Sequence, residues 1–343
     1  MAVKVESFLV LEKALAKRLG NAWVREAMPV IRKIEKAIKK GDFYEAYALV
    51  DQLDMSKAVD RNLKYIDLIG MSAVLYGASR LTNPKKSVFG SKPQEVSKAT
   101  EMLRTVLVRN ANEKVRQTAR KIIQLEEDRR KQALLMQKAD TGFVKAFKGS
   151  VIQEGKVFAD LGASLHTSRL AAWGFTVEAE VRGYEYYKVD EVLDSRTCPV
   201  CREMDGKVFP VNSARSRLEQ VMGVEDPDDL RALAPWPKQD KESVDRLKKM
   251  SPEEIISSGW HVPPYHPGCR GVLNKTKKKV QIGQIPTQPQ TKPEDIAPVP
   301  STQPEADQPS LLSRLSPKRL AQMLAGSLVK DLDRELDKKV PKE

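Results

Sequence analysis

The sequence is short of the residues on which most small enzymes and most secreted scaffolds depend. It has three cysteines and three histidines in 343 residues. That odd and sparse thiol supply excludes a disulfide framework of the kind built for oxidising compartments. Aromatic residues are few, and no apolar run approaches the ~18 residues that a membrane-spanning helix requires. The opening stretch, MAVKVESFLVLEKALAKRLG, sets charges among its apolar residues and reads as neither a secretory signal nor a membrane anchor. No Walker-type loop, dinucleotide fingerprint, His-Glu-x-x-His helix or Gly-x-Ser-x-Gly elbow occurs. The zinc-deaminase pattern fails too, because His166, the one histidine upstream of the cysteines, is followed by Thr167 and Ser168 where that pattern needs a glutamate. With no internal repeat, solenoids and propellers are excluded. No catalytic residue is assigned, and a non-enzymatic protein of the reducing cytoplasm is the expectation.

What is present in quantity is positive charge. Lys and Arg number 59 against 46 Asp and Glu, a formal charge of +13 that favours nucleic acid or an acidic partner surface. Residues 101–156 carry thirteen Lys or Arg against seven Asp or Glu. Arg116, Arg120, Lys121, Arg129, Arg130 and Lys131 lie there on a long helix, as a face able to track the phosphates of double-stranded DNA. The alternative is a solvated face whose charges pair internally through Glu126, Glu127 and Asp128.

Periodicity predicts an α+β chain that is predominantly helical. Residues 1–83 form a helical N-terminal domain in which apolar sets are each stopped by a glycine: Phe8 to Leu19 before Gly20, and Val24 to Ile38 before Gly41. Turn chemistry around Asn83-Pro84 opens a second domain over 92–272, with a helix from near Asp160 to Val181 capped by Gly183. Tyr184 to Leu193 and Lys207 to Val211 read as strands around the cysteine pair, joined through the turn formers Asp205 and Gly206. Ser213 to Met222 is helical, and Ser251-Pro252-Glu253-Glu254 is a helix start. Residues 273–315 read as a disordered linker, with seven prolines between 286 and 309. Over 316–340 an amphipathic helix carries Leu320, Leu324, Leu328, Leu332 and Leu336 down one side. Such a stripe on a tether buries itself on a partner protein or back on the body of the chain.

All three cysteines lie in two short clusters, Cys198-Pro199-Val200-Cys201 and His266-Pro267-Gly268-Cys269. Each offers two metal donors at i and i+3, and together they supply the four ligands of a closed, structural zinc site. Bringing the clusters together costs about 3.7 kcal/mol of loop-closure entropy, whereas structural zinc contributes roughly 10 to 16 kcal/mol. Buried reduced thiols and a redox Cys-x-x-Cys are the other readings, the last needing a helix N-terminus where the flanks look like strand and hairpin. His261 lacks the i, i+3 relation to Cys269 and is not counted as a ligand.

The string Leu193-Asp194-Ser195-Arg196-Thr197-Cys198-Pro199-Val200-Cys201, then Asp205-Gly206-Lys207-Val208-Phe209, then Pro263-Pro264-Tyr265-His266-Pro267-Gly268-Cys269-Arg270, resembles the phage Mu F-like minor head protein family, also called the phage head morphogenesis family. The family pattern usually ends His-Pro-x-Cys-Arg-Cys, and here Gly271 stands in place of the last cysteine. The resemblance implies a virion component in few copies inside the capsid near the portal vertex, made in the host cytoplasm and assisting head assembly and DNA packaging or ejection. Its implied partners are portal protein, major capsid or scaffold protein and packaged DNA. Within the motif, Asp194, Arg196 and Thr197 are expected to order the knuckle turn, Asp205 and Gly206 to shape the hairpin, Phe209 to fill the core beneath it, and Pro264 and Arg270 to complete the second turn. A zinc-knuckle DNA-binding protein and a metal-dependent nuclease are the rival readings.

Overall fold

The first helix, α1 (Val5–Lys40), runs straight through the glycine expected to stop it. Its buried stripe of Leu15, Leu19, Trp23, Ala27, Ile31, Ile34 and Ile38 keeps three- and four-residue steps across Gly20. Burying that unbroken stripe outweighs the ~1 kcal/mol a mid-helix glycine costs. The real stop is Gly41 at φ +81°, after which the Asp42 carboxylate accepts the Glu45 N–H to cap α2 (Phe43–Val50). Helices α3 (Ser56–Asp60), α4 (Leu63–Ser79), α5 (Gln94–Val106) and α6 (Asn112–Met136) follow, with a π-helical turn at Leu107–Ala111 between the last two. The computed structural model describes residues 5–83, 86–136, 143–226, 229–230, 233–266 and 268–277.

The axis of the molecule is α7 (Phe143–Val181), 39 residues long, of which the expected helix from Asp160 is only the second half. It packs along both α1 and α4. The crossing with α4 is made by glycines: a Cβ on Gly77 would stand 1.8 Å from the Ala171 carbonyl oxygen, and one on Gly174 2.2 Å from that of Val74. Trp23 of α1 lies against Gly155 in the same manner. As expected, Gly183 (φ +73°) closes α7, with the Tyr184 N–H reaching the Ala179 carbonyl at 2.9 Å and the Gly183 N–H reaching Glu180.

Beyond α7 the chain makes a three-stranded antiparallel sheet in the order β2-β1-β3, which makes the whole α+β and mainly helical. The central strand β1 (Tyr186–Asp190) pairs Tyr187 with Phe209 of β2 (Val208–Pro210), and Val189 with Leu273 of β3 (Val272–Lys275). Alternation puts Tyr187 and Val189 into the core. Among the described residues the helices around the sheet include α8 (Pro199–Met204), α9 (Val211–Met222), α10 (Lys241–Lys249) and α11 (Pro252–Ser257). The last opens with a full capping box between Ser251 and Glu254.

Two further features depart from the sequence reading. The boundary at 272/273 falls inside β3, because Val272 and Leu273 are buried and paired rather than part of a linker. The buried apolar residues form two large clusters, and each draws on both sides of the 84–91 segment. One joins α1 to α4 with Phe147, Val151 and Ala159 of α7. The other joins Met71 to Tyr76 of α4 with Trp173 and Phe175 of α7 and the sheet. The linker from 278 onward and the 316–340 helix, with Leu320, Leu324, Leu328, Leu332 and Leu336, lie outside the described residues. No described helix is long and apolar enough to cross a membrane.

Candidate metal centre

The first turn of the centre is assembled by Asp194. Its carboxylate accepts the Arg196 N–H at 2.8 Å, its own N–H reaches the Thr197 hydroxyl at 2.8 Å, and that hydroxyl donates back to the Val192 carbonyl. Thus Asp194 and Thr197 order the turn as expected, whereas Arg196 contributes its backbone N–H while its exposed side chain only approaches Asp194. The turn delivers Cys198 to the N-cap of α8, where its sulfur accepts the Cys201 N–H at 3.3 Å. Here the expectation of strand and hairpin flanks is corrected, since Pro199 at the first position starts a helical turn that places Cys198 and Cys201 on one side.

The second turn comes from the far side of the sheet. Pro263-Pro264 is a cis peptide bond, and Tyr265 after it is buried. Gly268 (φ +72°) hands its N–H to Ser164 Oγ of α7 at 3.1 Å, and the Cys269 N–H closes on the His266 carbonyl. Arg270 then joins the two turns through paired hydrogen bonds to Asp194 at 2.7 and 2.6 Å. Those bonds hold the Asp194 carboxyl well below the usual aspartate range. Beneath them Asp205 accepts the Glu191 N–H at 2.9 Å, Gly206 (φ +76°) sends its N–H to Val189, and Phe209 is buried against Tyr187 and His261.

The donor atoms of Cys198, Cys201 and His266 all lie within 4.8 Å of one another. Cys201 Sγ is 3.1 Å from His266 Nε2 and 3.8 Å from Cys269 Sγ. Two sulfurs bound at ~2.3 Å to one tetrahedral zinc stand about 3.8 Å apart. Residues 65 or more positions apart are therefore brought to metal-binding distance by the fold.

The expectation of one fourfold set is only partly met. The donors form two overlapping sets of three that share Cys201, and Cys269 belongs to the second, with Glu191. Glu191 Oε1 is 3.8 Å from Cys269 Sγ. It reaches there because residue 271 is glycine: a Cβ on Gly271 would stand 1.9 Å from that oxygen. Glu191 was missed in the sequence because nothing local marks it, and the one available signal was Gly271 beside Cys269 and Arg270.

Crowding in the cluster shifts the protons of its donors. Burial, followed by the neighbouring Cys269, raises the Glu191 carboxyl to about 9, and the hydrogen bond shared with Cys269 drives the Cys201 thiol far above its ordinary value. Cys269, accepting from Cys201 and facing the Tyr265 and Gly271 backbone, is lowered to about 6. Acidic donors crowded out of water in this way are suited to a divalent cation, which replaces the protons they hold.

The other histidines are elsewhere. His261 is buried beside Phe209 and His166 is buried on α7, 3.3 Å from the Ile66 carbonyl, and burial lowers both to about 4. The basic face of α6 is largely engaged within the chain. Arg116 donates to the Leu53 carbonyl at 3.0 Å, Arg120 pairs with Asp51, Arg129 and Arg130 both grip the buried Glu126, and Lys131 pairs with Glu127 at 2.9 Å. Lys121 is exposed.

Compared with protein-family models, curated proteins and solved structures, the chain matches none.

Proposed function

We propose that this chain is a minor head protein of a tailed phage or prophage, acting near the portal vertex, whose small α+β unit is fastened by a structural zinc ion. The observation that carries the reading is the convergence of Leu193–Cys201 with Pro263–Arg270. The two stretches that resemble the phage head morphogenesis family are those that meet at the Cys/His cluster and clasp through Asp194 and Arg270. Cys198, Cys201, His266 and Cys269 would hold the metal, with Glu191 beside Cys269. Such an ion would supply a fixed double positive charge, with its ligands drawn from α8 and from the turn held against α7. The chain's residues do the rest: Arg270 and Thr197 hold the turns, and Ser164 anchors the second turn to the central helix.

In this reading the helical body is the platform, and the leucines from Leu320 to Leu336 dock on portal, major capsid or scaffold protein. The internal pairing of Arg116, Arg120, Arg129, Arg130 and Lys131 favours an interaction protein over a dedicated DNA binder. Contact with packaged DNA then falls to exposed basic side chains such as Lys121. The test is composition of assembled heads: when the chain is co-expressed with portal, scaffold and capsid proteins of its own genome, portal-containing particles should retain it through density-gradient purification. Particles that form normally and carry none of it would refute the assignment.

A further inference from the structure

The polar run His166-Thr167-Ser168-Arg169 sits at the middle of α7 and is entirely buried. His166 faces a carbonyl, and Thr167 returns its hydroxyl to the helix at the Ala163 carbonyl, 2.8 Å away. Arg169 is different. It is 5% exposed, and its one hydrogen-bond contact among the described residues is to the Met102 sulfur at 3.7 Å. Arg80, Arg104, Arg120, Arg182 and Arg270 each hold a carboxylate, although all of them are less buried. A buried guanidinium without a counter-charge is costly, and among the described residues no carboxylate pairs with Arg169.

A second guanidinium faces the same space. Arg217 of α9 makes no hydrogen bond or ion pair among the described residues, and it lines with Arg169 a pocket of about 40 Å³ walled by Trp236, Trp260 and Tyr265. Room for Arg217 is made by Gly259 (φ +75°), where a Cβ would stand 2.0 Å from Nη2. The two cations disfavour each other: burial first, and then Arg217, lowers Arg169 to about 10. Arg169 also lines an adjoining cavity of about 530 Å³, bounded by Asn110, Lys114, Phe158, Leu165 and the exposed indole of Trp236. That volume is in the range of small-molecule sites, roughly 300 to 1,000 Å³. Glu113 stands at the same wall, its carboxylate accepting from Gln117 one turn along α6.

We propose that Arg169 and Arg217 form a binding site for the phosphate of a small phosphomonoester, whose organic part lies in the larger cavity against Trp236. A carboxylate satisfies one guanidinium, whereas a phosphomonoester brings about −1.5 to −2 charge at neutral pH and three acceptor oxygens, enough for two. Aromatic and aliphatic walls beside the arginines suit a ligand with a flat apolar portion of mononucleotide size. The site shares the Pro263–Tyr265 stretch with the second turn of the metal centre and uses none of its donor residues.

Because Trp236 and Trp260 line the pockets, the experiment is a fluorescence titration of the full chain with inorganic phosphate, a nucleoside monophosphate, the parent nucleoside and succinate. The monophosphate should give saturable quenching at least about tenfold tighter than inorganic phosphate, with the nucleoside and succinate silent. At the half-buried position 217, Arg217→Gln should weaken the monophosphate at least about tenfold, and Arg169→Met should remove it. A 5′-phosphorylated oligonucleotide that competes while its dephosphorylated form does not would identify a nucleic-acid end as the source of the phosphate. No quenching by either phosphate compound at millimolar concentration, equal binding by Arg217→Gln, or tighter binding of succinate would overturn the proposal.

Discussion

Arg270 holds Asp194 through two parallel hydrogen bonds, 2.7 and 2.6 Å long, across 76 positions of sequence. This clasp is the covalent-free equivalent of a bridge between the two cysteine-bearing turns. It also orients the loop from which Cys198 emerges, because the same carboxylate accepts the Arg196 N–H.

The clasp has a pH signature. With its pKa lowered by Arg270, Asp194 contributes stability that is fully present above the ordinary aspartate value near ~3.9 and is lost as pH falls toward its folded value. Asp194→Asn should therefore melt below the wild type by a constant margin from neutral pH to about pH 5, and the margin should shrink below about pH 4. Thermal melts across that range check it. A margin that grows with acid would show that the carboxylate is not clasped.

Glu191 and Gly271 act as one unit in the metal centre. Glu191→Gln and Gly271→Ala should each weaken metal retention about tenfold, the scale typical of residues that orient or supplement ligands. Since both changes remove the same carboxylate from Cys269, the double variant should be no weaker than either single one. Competition with a chromophoric chelator measures this, and additive losses would separate the two positions.

The α4/α7 crossing should be intolerant of any side chain. Gly77→Ala and Gly174→Ala each put a Cβ onto a backbone carbonyl that cannot swing aside, at a cost of about 3 kcal/mol or more. Denaturant melts should show this, and a Gly90→Ala control, where nothing lies within 4 Å, should be near neutral.

The elements read most directly from sequence were those with local chemical marks. Gly41 and Gly183 end helices by adopting positive φ, Ser251 and Glu254 form a capping box, and Asp205-Gly206 turns the chain from α8 into β2. What escaped was decided at long range. Gly20 failed to stop α1 because the stripe on either side stays in phase and is buried against α7. β3 is four residues long and exists because Val189 and Asp190 present a free edge to Leu273 and Val272. The two cysteine-containing turns were marked by residue type and spacing, whereas Glu191 is a donor only by virtue of the space left at Gly271.

The engaged basic residues make a separable claim about DNA. Arg129→Gln with Arg130→Gln should lower the melting temperature, by uncovering Glu126, and leave the salt slope of DNA binding unchanged. Lys121→Gln should reduce that slope by about 0.9, one phosphate contact. Filter-binding titrations over salt concentration decide it, and a loss of about 1.8 in slope for the Arg129/Arg130 pair would return those side chains to DNA.

The central claim is that the cluster around Cys201 holds one metal ion. Elemental analysis of the purified full chain beside Cys201→Ser tests it most directly, because Cys201 belongs to both sets of donors. The account predicts close to one zinc per chain in the wild type, and in the variant a loss of that zinc together with a lower melting temperature. A wild-type chain free of zinc, melting where Cys201→Ser melts and unmoved by added zinc, would contradict it.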